Sequence, residues 1–264
     1  NFVSPFHNQG AVRNRVEHVL FYAEFAKLHD EPDFLHPCFH FVQPLGRDFR
    51  TMRYDEEASR FFVGAGVPLS SVVQEAFKRS LAGLEFAVGT PGTIGGALRM
   101  NAGSRSEWLG SRVVAVTTYS PKEGLRRRPG SEISWGYRST SFAPNEVIVE
   151  CELAVEPADP FFIRGKMEAS LARRKKTQPL GKPSCGSVFK NPEVDSAGRL
   201  IEDIGMKGAR VGGAQVSEVH ANFIVNEGDA TAHDVKELIE TIQAKVKQAY
   251  GIELTPEVRF LGFE

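Results

Sequence analysis

The sequence predicts an α+β fold divided between two domains. Its 264 residues suffice for one large or two ordinary domains, and two is the commoner solution at this length. Strand-like and helix-like patterns alternate irregularly along the chain, which favours an α+β architecture over a doubly wound sheet. With 41% hydrophobic and 25% charged residues, the chain can bury a normal globular core. We expect the first domain to cover residues 1–157 and the second 158–264.

The first domain shows regular patterns from about residue 60 onward. Apolar runs predict strands at 60–63, 112–119 and 146–155, and a helix from an N-cap at Ser70 to Gly83. Before that region, helical spacing of apolar residues predicts a helix over 16–26. We interpret residues 30–44 as a loop with a short strand rather than as a His/Cys metal site, and we predict no metal site in the chain.

The second domain ends in a long amphipathic helix. Thr231 and Asp234 form a capping-box pattern at its start, and Gly251 is the expected stop signal. The other predicted elements are a helix over 160–175, a loop and strand over 179–192, a strand over Val219–Asn226 and a last strand at Val258–Leu261.

Charge and cysteine content argue against several classes of protein. A net charge of −1 disfavours nucleic acid as the main partner, although it is compatible with a local basic pocket for a small anion. Cys38, Cys151 and Cys185 are too widely spaced for a zinc or disulfide pattern, which favours a reducing compartment. The sequence shows neither a membrane-length apolar run nor a signal-peptide pattern, so we expect a cytoplasmic protein with no membrane partner.

A glycine-rich loop is the first candidate binding feature. Its glycines let backbone N–H groups approach a phosphate closely, and its threonines add hydroxyl donors. It is neither a Walker loop nor the Rossmann pattern, so a pyrophosphate cradle and a simple tight turn are both open. The loop consists of Gly89, Thr90, Pro91, Gly92, Thr93, Ile94, Gly95 and Gly96.

Three further side chains are candidates for catalysis. Arg138 can pair bidentately with a carboxylate, or it can simply stack on Tyr137 at the surface. Ser187, at the start of a predicted strand, can give a proton to a carbanion or enolate, the alternative being an ordinary turn serine. No His–Asp relay is apparent near Ser187, which disfavours a hydrolase nucleophile, and we interpret Cys185 as a packing residue. Glu257 is a lone carboxylate of a kind that is usually solvated.

These features belong to a longer series of motifs. Its segments are Gly83–Ala87, Gly89–Gly96, Met100–Gly103, Tyr137–Ser139, Gln178–Leu180, Pro183–Pro192, Ala197–Glu202, Gly212–Ser217 and His220–Phe223. In order and spacing, the series resembles the UDP-N-acetylenolpyruvoylglucosamine reductase (MurB) family over residues 45–264, and it is most similar to the shorter, second type of that family.

The resemblance implies an FAD-binding domain of the vanillyl-alcohol-oxidase (PCMH) type, followed by a small α+β MurB C-terminal substrate domain. It implies a cytoplasmic, monomeric flavoprotein that uses non-covalent FAD and NADPH to reduce UDP-N-acetylglucosamine enolpyruvate to UDP-N-acetylmuramate for peptidoglycan synthesis. Hydride would pass from NADPH to the flavin and then to the terminal enolpyruvyl carbon. The cofactor would contact the Gly89–Gly96 loop together with Asn101, Ala102 and Gly103.

The resemblance also implies roles for the catalytic candidates. Arg138 would stabilise the charge that grows on the enolpyruvyl carboxylate, with Glu257 as a second, hydrogen-bonding partner. Ser187 would protonate the remaining carbon as a general acid. The residues expected to bind substrate are Tyr137, Gln178, Lys190 and Asn191.

The chain departs from the family near its start. A Gly-x-Gly-Ser-Asn-type loop is expected upstream of Gly64, but the corresponding stretch, Leu28–Asp33, contains no glycine. Two functions from different classes therefore follow as hypotheses: an active reductase, and a non-catalytic remnant that binds the nucleotide sugar without flavin. An alcohol oxidase with the same flavin fold is a third, and it leaves the Ser187 segment unexplained.

Overall fold

The computed structural model describes residues 47–104 and 106–260. It contains two compact units, one ending at Ser170 and the other beginning at Leu171. This division falls within a helix that begins at Pro160, close to the domain boundary expected after residue 157, which stays a prediction. The predictions for residues 16–26 and 30–44, the departure at Leu28–Asp33, and Cys38 all lie outside the described residues.

The first unit is built around an antiparallel sheet, and it also contains several short strands outside that sheet. Its helices are α1 (Leu69–Lys78), α2 (Ile94–Arg99) and most of α3 (Pro160–Thr177), with 3-10 turns at Arg47–Arg50, Glu85–Ala87, Leu109–Arg112 and Gly130–Glu132. Its strands are β1 (Met52–Asp55), β2 (Arg60–Gly64), β3 (Leu81–Ala82), β4 (Val113–Ser120), β5 (Gly124–Pro129), β6 (Trp135–Gly136), β7 (Ser139–Thr140), β8 (Val147–Ala154) and β9 (Glu156–Pro157).

Strand β8 lies at the centre of a five-stranded sheet of order β1-β2-β8-β4-β5. It pairs with β2 on one side and β4 on the other, both antiparallel. Phe61, Cys151 and Leu153 are at most 1% exposed and share one apolar cluster with Val72 of α1. The predicted strands at 60–63, 112–119 and 146–155 are confirmed, and the mixed helix and sheet content confirms the α+β class.

Helix α1 is shorter than predicted. It begins at Leu69 with Pro68 as its N-cap, so the N-cap predicted at Ser70 is wrong. The φ angle of proline is fixed near the helical value. Proline also lacks a backbone N–H, which costs nothing at a helix start because the N–H groups there have no acceptor within the helix. The helix ends at Lys78, well before Gly83, which has a φ of +117° in the turn after β3.

The second unit packs two helices on a four-stranded antiparallel sheet, in which the strands lie in the order Ser184–Ser187, Phe223–Asn226, Ala214–Val216 and Arg210–Val211. Residues of the helices and of the inner sheet face form one buried cluster. The elements are β10 (Ser184–Ser187), α4 (Ala197–Asp203), β11 (Arg210–Val211), β12 (Ala214–Val216), β13 (Phe223–Asn226) and α5 (Ala232–Tyr250). Among the described residues, no helix combines the length and apolar character that a bilayer span requires.

Local signals in the second unit were mostly correct. The capping box between Thr231 and Asp234 is present, and Gly251 ends α5 in the left-handed region with a φ of +69°. The strand predicted over Val219–Asn226 is only its last four residues, because the Ser217 hydroxyl accepts hydrogen bonds from the N–H groups of Val219 and His220 and forms a turn there. Residues 258–260 form no strand, so the last predicted strand is wrong in its described part.

The side chain of Asn222 joins β13 to the segment that follows β10. Its Oδ1 accepts from Phe189 N at 2.9 Å, and its Nδ2 donates to Phe189 O at 2.8 Å. The Asn222 carbonyl also accepts from Val188 N at 2.8 Å. Asn222 is 4% exposed, so both bonds to Phe189 are shielded from water and the amide acts as an added strand residue.

Replacing Asn222 by alanine should destabilise the second unit. Each buried backbone group of Phe189 would lose its partner, and together they should lower the free energy of unfolding by about 2–4 kcal/mol. Thermal unfolding and amide hydrogen exchange at Val188 and Phe189 measure the loss. The matched control is Asn145→Ala, at an exposed turn, which should change stability by less than about 0.5 kcal/mol. Equal effects of the two substitutions would contradict this account.

Candidate functional site

The C-terminal half of the glycine-rich loop is fixed to the end of strand β2. Ile94 N donates to Val67 O at 2.9 Å, and Gly95 N donates to Ala65 O at 2.8 Å. The Thr93 hydroxyl accepts from Gly96 N at 3.4 Å and thereby caps helix α2. A Cβ on Gly95 would lie 3.0 Å from the Ala65 Cβ, so this close approach requires a small residue.

The N-terminal half of the loop forms an exposed tip. Gly89, Pro91 and Gly92 are exposed, and the two glycines have φ values of +71° and +99°. A Cβ added at Gly92 would meet no atom within 4 Å, so neighbouring protein atoms do not demand glycine there. An open glycine tip with positive φ fits the approach of a phosphate to backbone N–H groups. The residues present therefore fit a pyrophosphate-bearing cofactor at the tip of the loop.

Helix α2 leads directly into Asn101, a buried residue in the left-handed region. Asn101 has a φ of +43° and is 5% exposed. Its Oδ1 accepts from Gly110 N at 2.9 Å, and its Nδ2 donates to Gly136 O at 3.0 Å. Close by, a Cβ on Gly103 would overlap the Glu107 carbonyl, so that position requires glycine. Both functional atoms of the Asn101 side chain are thus bonded to the protein backbone.

Arg138 lies in the turn of the β6–β7 hairpin, with a φ of +52°. Its Nη1 donates to Gly103 O at 2.9 Å, and its guanidinium carbon is 5.3 Å from the centre of the Tyr137 ring. The hairpin is also bonded to α2, since Thr140 Oγ1 donates to Arg99 O at 3.1 Å. The stacking of Arg138 on Tyr137 is real, but the bond to Gly103 also directs the guanidinium toward the segment that follows the glycine-rich loop.

Arg99 makes a set of side-chain hydrogen bonds that sequence reasoning missed. Its guanidinium donates to the carbonyls of Phe142, Ala143 and Glu146, with the Ala143 bond at 2.9 Å. Burial lowers the pKa of Arg99, and the Glu146 carboxylate acts in the opposite direction. The only local signal was a basic residue at the end of a short helix, which is also the ordinary place for a helix-capping cation.

Ser187 is the last residue of β10, not the first residue of a strand as predicted. The pairing of β10 with β13 shifts register between Ser184 and Ser187, and Gly186, with a φ of +81°, lies within that irregularity. A register shift of this kind redirects the side chains that follow it. Ser187 is half-buried, whereas Cys185 is exposed, so the packing role expected for Cys185 is wrong.

Backbone pairing within the second unit holds Glu257 against Val188, the residue that follows Ser187. Glu257 N donates to Val188 O at 2.7 Å, and Lys190 N donates to Thr255 O at 2.9 Å. The segment Thr255–Glu257 therefore runs along the residues that directly follow Ser187. Glu257 is half-buried. A hydroxyl and a carboxyl group are thus held on adjacent backbone segments.

The residues predicted to bind substrate have different surroundings. Asn191 Oδ1 accepts from Ala197 N at 3.0 Å, so the Asn191 side chain binds an N–H group at the start of α4. Lys190 is half-buried. Gln178 follows α3 and lines a cavity of about 440 Å³ within the second unit. The other residues around this cavity are Lys175, Pro179, Leu180, Gly181, Lys182, Gln215, Ser217, Glu218, Val219 and Val225.

His220 is a further residue whose environment the sequence did not reveal. Its ring centre is 5.0 Å from that of Phe223, and its Nδ1 accepts from Asn222 N at 3.2 Å. A Cβ on Gly198 would lie 3.0 Å from the ring, which explains the glycine in α4. Burial lowers the pKa of His220, and the positive charge of Lys207 acts in the same direction. The ring is held neutral near pH 7.

Two family models match the chain. One describes an FAD binding domain and covers residues 45–122, and the other describes the C-terminal domain of UDP-N-acetylenolpyruvoylglucosamine reductase and covers residues 178–261. The first begins where the sequence resemblance was expected to begin. The second contains Gln178, Ser187, Lys190, Asn191 and Glu257.

Curated relatives match across most of the chain. UDP-N-acetylenolpyruvoylglucosamine reductase from Synechococcus sp. (strain WH7803) is 44% identical over 213 residues, covering 79% of this chain and 69% of that protein. UDP-N-acetylenolpyruvoylglucosamine reductase 2 from Symbiobacterium thermophilum is 47% identical over 224 residues, covering 84% of this chain and 71% of that protein.

A solved structure agrees with the sequence relatives. The crystal structure of UDP-N-acetylenolpyruvylglucosamine reductase (MurB) from Thermus caldophilus superposes with a TM-score of 0.68 and 36% identity, covering 79% of this chain and 74% of that one. Identity above 40% over two thirds of a relative's length, together with this structural match, shows that the chain belongs to the UDP-N-acetylenolpyruvoylglucosamine reductase family.

Proposed function

We propose that the chain reduces UDP-N-acetylglucosamine enolpyruvate to UDP-N-acetylmuramate, with FAD as bound cofactor and NADPH as reductant. The observation that carries the proposal is the pairing of Glu257 N with Val188 O at 2.7 Å, which holds the backbone of Glu257 against the residue that follows Ser187. This pairing lies inside the range matched by the reductase C-terminal domain. The chain's family relatives carry the name of the same reductase.

The exposed tip of the glycine-rich loop is the proposed phosphate-binding part of the cofactor site. The N–H groups of Thr90, Ile94, Gly95 and Gly96 donate to protein acceptors, so the candidate donors to a phosphate are those of Gly89, Gly92 and Thr93. Bound FAD supplies the hydride chemistry of the reaction. The protein's part is to bind and orient both ligands and to manage charge and protons around the enolpyruvyl group.

Arg138 is proposed to bind the enolpyruvyl carboxylate. Hydride addition at the terminal carbon sends negative charge toward that carboxylate, and a fixed guanidinium stabilises the charge as it grows. The Arg138 bond to Gly103 O restricts the rotation of the side chain before substrate arrives. Part of the reorganisation that charge stabilisation would otherwise require is therefore complete in the folded protein.

Ser187 is proposed to protonate the remaining enolpyruvyl carbon. As hydride forms a new C–H bond at the terminal carbon, the C=C electron pair moves to the adjacent carbon and takes the proton of the hydroxyl. Glu257 would act as the hydrogen-bonding acid next to this developing charge. Tyr137, Gln178, Lys190 and Asn191 remain the proposed substrate-binding residues, and for Asn191 the Nδ2 group is the candidate because Oδ1 caps α4.

The proposal includes a cytoplasmic location and a monomeric state. UDP-sugars and NADPH are cytosolic, and cysteine spacing favours a reducing compartment. The catalytic reading is preferred over a non-catalytic remnant, because no observation among the described residues favours the remnant. Separate calorimetric titrations with FAD and with the nucleotide sugar distinguish the two, since a remnant would bind the sugar alone.

Replacing Ser187 by alanine should affect the two half-reactions unequally. NADPH should still bleach the flavin absorbance at a near-normal rate, because no proton reaches the substrate in that step. Reoxidation by the enolpyruvyl substrate should slow by roughly 10²–10⁴-fold, the usual contribution of general acid catalysis. Ser187→Cys should recover part of the rate, since a thiol keeps a transferable proton. Stopped-flow absorbance measures both steps, and equal slowing of the two would mark Ser187 as structural.

Arg138→Ala should weaken substrate binding as well as turnover. The carboxylate is present in the ground state, so the lost pairing raises the apparent dissociation constant and also slows reoxidation. We expect a combined loss in kcat/KM of about 10³-fold, in the range for a charge-assisted pair in a shielded site. Arg138→Lys should restore part of the binding but not the bidentate geometry. An unchanged substrate affinity in Arg138→Ala would contradict the assignment.

A further inference from the structure

Three hydrogen bonds connect the segment after the glycine-rich loop to the hairpin that carries Arg138. Asn101 Nδ2 donates to Gly136 O at 3.0 Å, Arg138 Nη1 donates to Gly103 O at 2.9 Å, and Thr140 Oγ1 donates to Arg99 O at 3.1 Å. They involve every second residue of both segments, namely Arg99, Asn101 and Gly103 on one and Gly136, Arg138 and Thr140 on the other. The hairpin therefore follows the Arg99–Gly103 backbone as one piece.

Three side chains donate these hydrogen bonds, and of the three only that of Asn101 belongs to a buried residue. Its Oδ1 accepts from Gly110 N at 2.9 Å while its Nδ2 holds Gly136 O, so one amide links the hairpin to the Leu109–Arg112 turn. A primary amide is suited to this position because it donates and accepts from one rigid plane. Asparagine also tolerates the left-handed conformation, with a φ of +43°, better than most residues.

The same contacts argue against a side-chain role in binding the cofactor. The side chain is bonded to backbone groups through both its oxygen and its nitrogen, and the residue is 5% exposed. Its own N–H donates to Leu98 O at 3.0 Å, which closes the end of helix α2. A ligand on the exposed tip at Gly89 and Gly92 would not need any of these atoms.

We propose that Asn101 is a positioning residue for Arg138: its amide fixes the β6–β7 hairpin against the segment after the glycine-rich loop and so directs the guanidinium at the substrate carboxylate. The inference rests on the proposed function, because it needs Arg138 to bind that carboxylate. It concerns the side-chain amide only, and the expected contact of Asn101 with the cofactor stays a prediction. Its effect on the binding of the substrate carboxylate passes through Arg138.

Two substitutions separate the contributions of the amide. Asn101→Gly keeps the left-handed backbone and removes both side-chain bonds without adding charge. Asn101→Asp keeps an acceptor for Gly110 N, but it replaces the donor to Gly136 O with a carboxylate oxygen and so adds a negative charge as well as removing that bond. The matched control is Ser80→Gly in the same unit, where another non-glycine residue has a φ of +56°. It changes the backbone entropy in the same way without touching the hairpin.

The test measures FAD affinity by flavin fluorescence and both half-reactions by stopped flow in the whole protein. In both Asn101 variants we expect FAD affinity and the NADPH half-reaction to stay within about twofold of wild type, while reoxidation by substrate slows by about 10–100-fold, as expected for a misplaced catalytic group. Combined with Arg138→Ala, Asn101→Gly should add less than about twofold, because coupled residues are not additive. Ser80→Gly should match wild type.

Three results would overturn the inference. A tenfold or larger loss of FAD affinity in both variants would make Asn101 a cofactor ligand. Full additivity with Arg138→Ala would show that it acts by another route. Unchanged reoxidation in both variants would show that the hairpin keeps its place without the amide. Wild-type protein that substrate does not reoxidise would instead contradict the proposed function itself, so the two failures are distinguishable.

Discussion

The hydrogen bond from Ala65 N to Val149 O, at 2.8 Å, is the contact on which the first unit's functional region depends. It extends the β2–β8 pairing by one residue beyond Gly64 and fixes the backbone that follows β2 against the central strand. That backbone in turn accepts from Ile94 and Gly95. The glycine-rich loop is therefore bonded to backbone that the central strand holds in place. Glycine is required at residue 64, because a Cβ there would overlap the Phe49 carbonyl.

Helix α2 and a further set of hydrogen bonds connect the glycine-rich loop to the β6–β7 hairpin, which carries Arg138. Helix α2 connects the loop to Asn101, and side-chain bonds connect that segment to β6 and β7. In the second unit, hydrogen bonds hold Val188–Lys190 between Thr255–Glu257 on one side and the Asn222 amide on the other. Each unit therefore holds the segments that carry its catalytic candidates with hydrogen bonds between side chains and backbone groups, and the second unit adds backbone pairing.

Short-range signals were the part of the fold that the sequence could predict. The Thr231 capping box and the Gly251 stop depend only on neighbours within one helix, and the sheet strands follow from apolar runs. The bonds of Asn101 and Asn222 join residues 35 and 33 positions apart, and no periodicity in the sequence marks such pairs. Arg138, Ser187 and Glu257 were named from their resemblance to a family; their local patterns left ordinary explanations open. The details that place them, such as the register shift before Ser187, required coordinates.

The hydrogen bond between Asn222 N and His220 Nδ1 decides which tautomer the imidazole adopts. An Nδ1 that accepts cannot carry the proton, so the neutral ring is protonated at Nε2 and presents a single N–H on its other side. Protonating Nδ1 would remove that acceptor, and the lowered pKa of His220 makes the charged form unfavourable in the folded protein. Lowering the pH below the pKa that His220 has in the unfolded chain therefore destabilises the native turn at His220–Asn222. At neutral pH the imidazole is a directional donor without formal charge.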